Sequence, residues 1–314
     1  MLLIALALIW ALFNLTTVRD WYILANYHPP QIIQQIATED GMTAYARKLF
    51  YVNKPQIQSK SLFATNCTSS DVSAHVIGCY HDGDNGIFLL NVTDPRLNGI
   101  IEVTAAYEML HAGYARLNSA ERDQLDKLMW QYYTAADISN EIKQQMASYA
   151  ISEPGARYDE LYSVLGTEVG TLPTALENHF KIYFNDRAAI VARYNGYQVA
   201  FTSREAAIAA YTAQLTSLKA QITANENQLN TLLNNINSEQ QTLNTERASG
   251  NIAAYNSGVD GYNALVNQYN QLVVSVRSEI VQYNQIVNAS NALAIEDQQL
   301  VEAITSTPSA QTTK

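Results

Sequence analysis

Glu108 and His111, in the stretch VTAAYEMLHAGY over residues 103–114, are of the types that handle protons and metal ions. On a helix, positions 107 and 111 lie one turn apart on the same face. With histidine at 107 the run would read H-E-x-x-H. In that pattern two imidazoles hold a zinc ion and the glutamate between them polarises the zinc-bound water. Here position 107 is tyrosine, so only Glu108 and His111 of the trio are present. Packing alone also accounts for the run. Ile100, Val103, Tyr107, Leu110, Tyr114 and Leu117 form an apolar stripe at three-four spacing, which Tyr107 fits as a core aromatic.

Other reactive residues are sparser. Cys67 and Cys79 are the only cysteines, twelve residues apart. They suit either a small disulfide loop in an oxidising compartment or two free thiols. His81 heads HDGDNG, a turn cluster resembling a fragment of a calcium loop but lacking the distal bidentate glutamate. No nucleophile elbow, phosphate loop or dinucleotide fingerprint is present. A net charge of −10 and the absence of any Lys/Arg run exclude a nucleic-acid surface.

Around these residues the chain reads as α+β. Val72–Tyr80 and Gly86–Val92 are rich in strand formers and flank the HDGDNG turn, so a β-hairpin is predicted. Asp94-Pro95 is a helix-start signature. Helices are predicted over about 98–117, 120–134, 139–150 and 156–169, with Ser119 and Ser139 as caps, and Pro173 opens another reaching about Phe184.

Beyond residue 186 the pattern changes. Ile208, Leu215, Ile222, Leu229, Ile236 and Leu243 recur every seven residues, with Tyr211, Leu218, Asn225 and Leu232 at the other seam position. Tyr255, Tyr262, Tyr269, Val276 and Tyr283 repeat likewise, followed four residues on by Val259, Val266, Val273, Ile280 and Val287. Two heptad arms separated by Ala248-Ser249-Gly250 predict an antiparallel coiled-coil hairpin. Its surface is mostly Asn, Gln, Ser and Thr, and its bulky tyrosine seam also suits self-association.

The first residues, MLLIALALIWALFNLTTV, are almost continuously apolar as far as Arg19, with Trp21 and Tyr22 beyond. A single-pass membrane anchor over 1–22 is expected, with a signal peptide and then a buried helix as the alternatives. Arg19 after the segment favours a cytoplasmic body and a Cys67–Cys79 disulfide favours an extracytoplasmic one; the extracytoplasmic placement is preferred.

The stretch DPRLNGIIEVTAAYEMLHAGY followed by ELYSVLGTE resembles bacterial membrane-anchored proteins with a gluzincin-like domain, zinc peptidases that use H-E-x-x-H and a downstream glutamate. The resemblance spans about 85–185. It implies a mainly helical zincin-like domain over 23–185, whose edge strand, Gly86–Val92, precedes the metal helix. It assigns Glu108 as general base and His111 and Glu168 as zinc ligands, with Tyr107 at the position of the missing histidine. Tyr162 or His179 would donate a hydrogen bond to a substrate oxyanion, or His179 would serve as a replacement ligand. The expected whole is an anchor (1–22), this domain (23–185), the hairpin (186–304) and a disordered tail (305–314). The implied function is a membrane-tethered metallopeptidase-like protein with a degenerate zinc site and peptide-bond hydrolysis reduced or lost, with a peptide or protein as substrate or partner. The alternative is a cell-envelope scaffold acting through its coiled-coil arm.

Overall fold

The computed structural model describes residues 15–67, 76–82, 86–136, 138–152 and 154–305. The architecture is mostly helical, with one small sheet and a long helical hairpin. The chain forms a globular unit, Met1–Phe201 with Gln299–Lys314, and a second unit over Thr202–Gln298.

The globular unit is organised around α5 (Ile100–Ala115). Gly99, at a φ of 93°, turns the chain into α5, a conformation glycine adopts without steric cost. The Asp94-Pro95 signature instead opens a short 3-10 turn, Pro95–Leu97, in which the Asp94 side chain accepts from Arg96 N. Val103, Ala105, Met109, Leu110 and Ala112 bury different sides of α5, which is therefore enclosed all round rather than along one stripe.

Before α5 come α1 (Leu15–Asn26), α2 (Gln31–Glu39), α3 (Ala44–Val52), β1 (Gln56–Gln58), α4 (Lys60–Asn66), β2 (Gly78–His81) and β3 (Gly86–Leu90). After it come α6 (Ser119–Ala135), α7 (Asn140–Ser152), α8 (Arg157–Thr167) and α9 (Thr174–Phe180). The cap of α6 is Asn118, in a reciprocal capping box with Glu121, one residue before the predicted Ser119. Pro173 does open α9.

The sheet order is β1-β3-β2, with β1 parallel and β2 antiparallel to β3. This corrects the expected strand layout. GIFLL is the central strand, buried at all five positions, and the edges are β1 and, beside α5, β2. The continuous apolar run suits a strand covered on both faces. Part of the predicted Val72–Tyr80 strand, residues 72–75, lies outside the described residues.

Cys67 and Cys79 form a disulfide that ties the end of α4 to β2, beside Phe63, Phe88 and Leu90. Closing a loop of this size restricts the unfolded chain by about 3 kcal/mol. Cys79→Ser is therefore expected to destabilise the globular unit by about 2–4 kcal/mol. Thermal melts should show the loss without reductant, and reductant should lower the melting temperature of the natural chain but not of the variant.

Of the predicted anchor, residues 1–14 lie outside the described residues. Its last part begins α1, where buried Asp20 pairs with Arg116 at 2.9 Å and Lys48 at 3.6 Å while Trp21 and Tyr22 are exposed. No described helix is long and apolar enough to cross a membrane. The predicted tail, beyond Thr305, is also outside the described residues.

Helices α10 (Arg187–Ala248) and α11 (Ile252–Ile304) supply the second unit. Its boundary falls later than residue 186, because Ile190, Tyr194 and Tyr197 of α10, like Leu300 and Ile304 of α11, belong to the globular core. From Ile208 to Glu246 the heptad positions of α10 are buried or half-buried and every residue between them is exposed. On α11 the tyrosine seam is half-buried as predicted, but Ile280 is exposed and Glu279 is buried in its stead. Asn225 Nδ2 donates to both Glu279 oxygens, at 2.8 and 3.0 Å, and Gln221 Nε2 donates to Oε1 at 2.9 Å. These donors draw the carboxylate inward and fix the register. Asn225→Leu alone strands part of a buried carboxylate and is expected to cost about 1–3 kcal/mol. Asn225→Leu with Glu279→Leu should recover most of that loss in denaturant titrations.

Candidate functional site

The candidate site lies where α5 and α8 cross. Gly166 of α8 makes the crossing close, since a Cβ there would stand 2.2 Å from Leu110 Cδ1. On the other flank Gly78 of β2 lies directly on α5, where a Cβ would stand 2.5 Å from Glu108 Oε1 and 2.4 Å from Thr104 Cγ2. The edge strand therefore passes over Glu108 only because position 78 lacks a side chain.

Between these elements is a cavity of about 570 Å³, lined also by α7 and by the first turns of α10. His111 Nδ1 meets Asp159 Oδ1 at 2.8 Å, and His111 Nε2 lies 3.8 Å from Glu160 Oε1. The Tyr107 hydroxyl donates to Glu160 Oε2 at 2.5 Å and lies 3.3 Å from the Tyr149 hydroxyl of α7. The Tyr107 and His111 rings pack edge to face with centroids 5.0 Å apart.

The carboxylate that meets Tyr107 and His111 is thus Glu160, in the first turn of α8. Glu168 caps the far end of that helix, about 12 Å along its axis. Glu168 lines the same cavity but accepts from Gln145 Nε2 at 3.3 Å. The C-terminal end of α8 is held by Arg187, which donates to the carbonyls of Leu165, Val169 and Gly170 and pairs with Glu177. Tyr162 and His179 are elsewhere. The Tyr162 hydroxyl and His179 Nε2 are 2.6 Å apart in an aromatic cluster with Phe180 and Tyr183, and neither lines the cavity.

Burial would lower the pKa of His111, but the Asp159 hydrogen bond and the charges of Asp159, Glu160 and Glu108 outweigh it and push the imidazole up to about 10. Burial, together with Tyr149, Glu160 and Glu168, drives the Tyr107 phenol well above its ordinary value. Burial also lifts Glu168 to about 7, against hydrogen bonds from Gln145 and Tyr194. The surroundings therefore favour a charged imidazole, a neutral phenol and a carboxyl group that keeps its proton to higher pH than usual.

These residues do not fit a zinc ion as they stand. A catalytic zinc needs three protein donors and an open position. His111 Nε2 and Glu160 Oε1 offer two, and the third position holds a protonated phenol already bonded to Glu160. Among the described residues the one cluster of three His, Cys, Asp or Glu donors close enough to share an ion is Cys67, Cys79 and His81, whose two sulfurs are joined in the disulfide.

Asp159, Glu160, Gly78 and Tyr149 were not singled out by the sequence reading. Every residue of α8 from Glu160 to Thr167 is buried, so no polar–apolar period marks Glu160 above Glu168. The adjacent acidic pair Asp159-Glu160 at a helix start was the available signal. No family model, curated protein or solved structure matches the chain. The fold and site define its class as an α+β protein with an acidic, tyrosine-lined cleft and a long helical hairpin.

Proposed function

We propose that the globular unit is a gluzincin-like domain that binds a peptide or protein in its cleft and does not hydrolyse it. The observation that carries this reading is the 2.5 Å hydrogen bond from the Tyr107 hydroxyl to Glu160, beside a His111 whose Nδ1 is fixed by Asp159. Orienting a histidine through its Nδ1 by a carboxylate is the usual support for a metal-binding Nε2. Here that Nε2 faces Glu160, and a phenol proton and an imidazolium supply the positive partners for the carboxylates. The fold persists without a metal because α5 and α8 are held by buried apolar packing. Tethering by residues 1–22 and an extracytoplasmic body belong to the same proposal. The Cys67–Cys79 disulfide supports that placement, since such bonds persist in oxidising compartments.

Elemental analysis of the purified protein after mild dialysis tests this reading, together with a peptidase assay on a mixed peptide library. The expected result is folded protein with no retained zinc and no cleavage. Near-stoichiometric zinc, lost in both His111→Ala and Glu160→Ala and accompanied by cleavage, would overturn it.

A second reading, with the hairpin as the interacting part, is favoured by Val274, Val281 and Ile295. All three are exposed on α11 at multiples of seven residues. That spacing puts them on one face of the helix, interrupted by Asn288, where a further helix can pack. Light scattering on the full chain should give a defined oligomer that Val274→Asp with Val281→Asp dissociates.

A further inference from the structure

Carboxylates outnumber histidines among the described residues that line the cavity. Glu108, Glu141, Asp159, Glu160 and Glu168 line it, and among its described lining residues there is no lysine or arginine. Asp159 and Glu160 already face His111 and Tyr107. Glu168 is different. It is 8% exposed, lines the cavity, and its Oε2 is buried with no hydrogen-bond partner. A buried carboxylate oxygen without a donor is costly, and such atoms are rare unless a ligand or water supplies one.

Its surroundings define what kind of donor fits. Tyr194 and Tyr197 of α10 line the same end of the cavity, with ring centroids 5.5 Å apart and planes at 80°. Two rings at such an angle make two walls of a partial cage, and tyrosine faces attract cations. Gln198 Nε2 donates to the Tyr194 hydroxyl at 2.9 Å and steadies that ring. Gln145 holds the other oxygen of Glu168 and the Tyr194 hydroxyl also approaches the carboxylate, while Oε2 itself has no donor in hydrogen-bond range. A volume of about 570 Å³ is that of a small-molecule or side-chain pocket rather than an ion site.

We propose that the Glu168 end of the cavity binds an organic ammonium group, with Glu168 as its counter-ion and Tyr194 and Tyr197 as its aromatic wall. The group can be a lysine side chain of a peptide or a free polyamine, which share this chemistry. The proposal names the ligand class of the cleft and rests on its reading as a binding site rather than a hydrolytic one.

Isothermal titration of the full chain at pH 8 with spermidine, N-acetyl-lysine amide and N-acetyl-norleucine amide separates the possibilities. The expected result is saturable binding of at least one amine and none of the norleucine compound, whose side chain has similar length but no charge. Lysine amide binding alone assigns a peptide ligand, and spermidine alone a polyamine. Glu168→Gln should weaken binding at least tenfold, and Glu226→Gln, exposed on the hairpin, should leave it unchanged. No amine binding, equal binding of the norleucine compound, or unaltered affinity in folded Glu168→Gln would overturn the proposal. Zinc content and peptide cleavage are measured on the same sample. Amine failure with no zinc and no cleavage removes this inference alone, whereas zinc-dependent cleavage removes the binding-module reading beneath it.

Discussion

Tyr107→His is expected to retain zinc through dialysis and to acquire measurable peptide hydrolysis, both of which the proposed reading denies to the natural chain. His111 Nε2 and Glu160 Oε1 are already 3.8 Å apart, near the spacing of two ligands on one ion. Asp159 already holds the Nδ1–H of His111, so the proton a zinc ion would displace is the one on Nε2. Removing the phenol takes away the proton bonded to Glu160 and opens the space its ring end fills. An imidazole one turn from His111 on α5 then supplies the third donor. The gain in affinity should exceed the roughly 100-fold associated with an outer partner of a metal ligand, because a direct ligand is being restored. Glu108, held against Gly78, is the base such a site would use. Adding His111→Ala or Glu160→Ala to the variant should abolish zinc retention, whereas adding Glu168→Ala should not. Loss of zinc on Glu168→Ala, with Glu160→Ala silent, would reinstate Glu168 as the ligand. A folded Tyr107→His protein without zinc would remove the proposed constellation altogether.

Glu168→Gln is expected to stabilise the protein above pH 7 and to have little effect near pH 4.5. The carboxyl group sits at about 7 in the folded state against an ordinary 4.5, because burial outweighs its hydrogen bonds. The native state therefore holds this proton more tightly than the unfolded chain. Its stabilising contribution is full below 4.5, declines as pH rises through 7, and is gone above that. The groups facing Glu168 include Glu160 on its own helix, Tyr107 on α5, Gln145 and Tyr149 on α7, and Tyr194 and Tyr197 on α10. None of these is a permanent cation. The shift corresponds to about 3 kcal/mol of lost stability at pH 8, which glutamine avoids because it does not ionise. Melting temperatures of the two proteins should coincide near pH 4.5 and separate by several degrees at pH 8. Equal melting at both pH values would show that Glu168 is solvated or paired. A stabilised variant that no longer binds ammonium would also show that the natural residue is kept at a cost in stability.

Much of the fold was legible because it follows local periodicity. The α10 arm matched its heptads residue by residue, since a two-helix seam needs only the 3-4 spacing of apolar side chains. The same rule placed Ile280 in the seam of α11, where Glu279 stands, because the donors that draw Glu279 inward come from the other helix. The third strand, β1, was missed because three residues, QIQ, have no readable period, and only pairing with β3 makes them a strand. The extent of the globular core has a similar origin. Tyr194 and Tyr197 look like the start of an arm, and only the core of the globular unit claims them.

At the site, the sequence by itself determined that Glu108, His111 and Tyr107 share one helix, with positions 107 and 111 one turn apart on the same face. Helical geometry makes that a matter of counting. It also held both cysteines of the disulfide, without deciding whether they pair. Tertiary structure alone decided that Glu160 rather than Glu168 meets Tyr107, that Asp159 orients His111, and that Gly78 admits the strand over Glu108. Each of those facts depends on how closely α5, α8 and β2 approach one another. In α8, buried on all sides, the order of residues carries no mark of which side faces which neighbour.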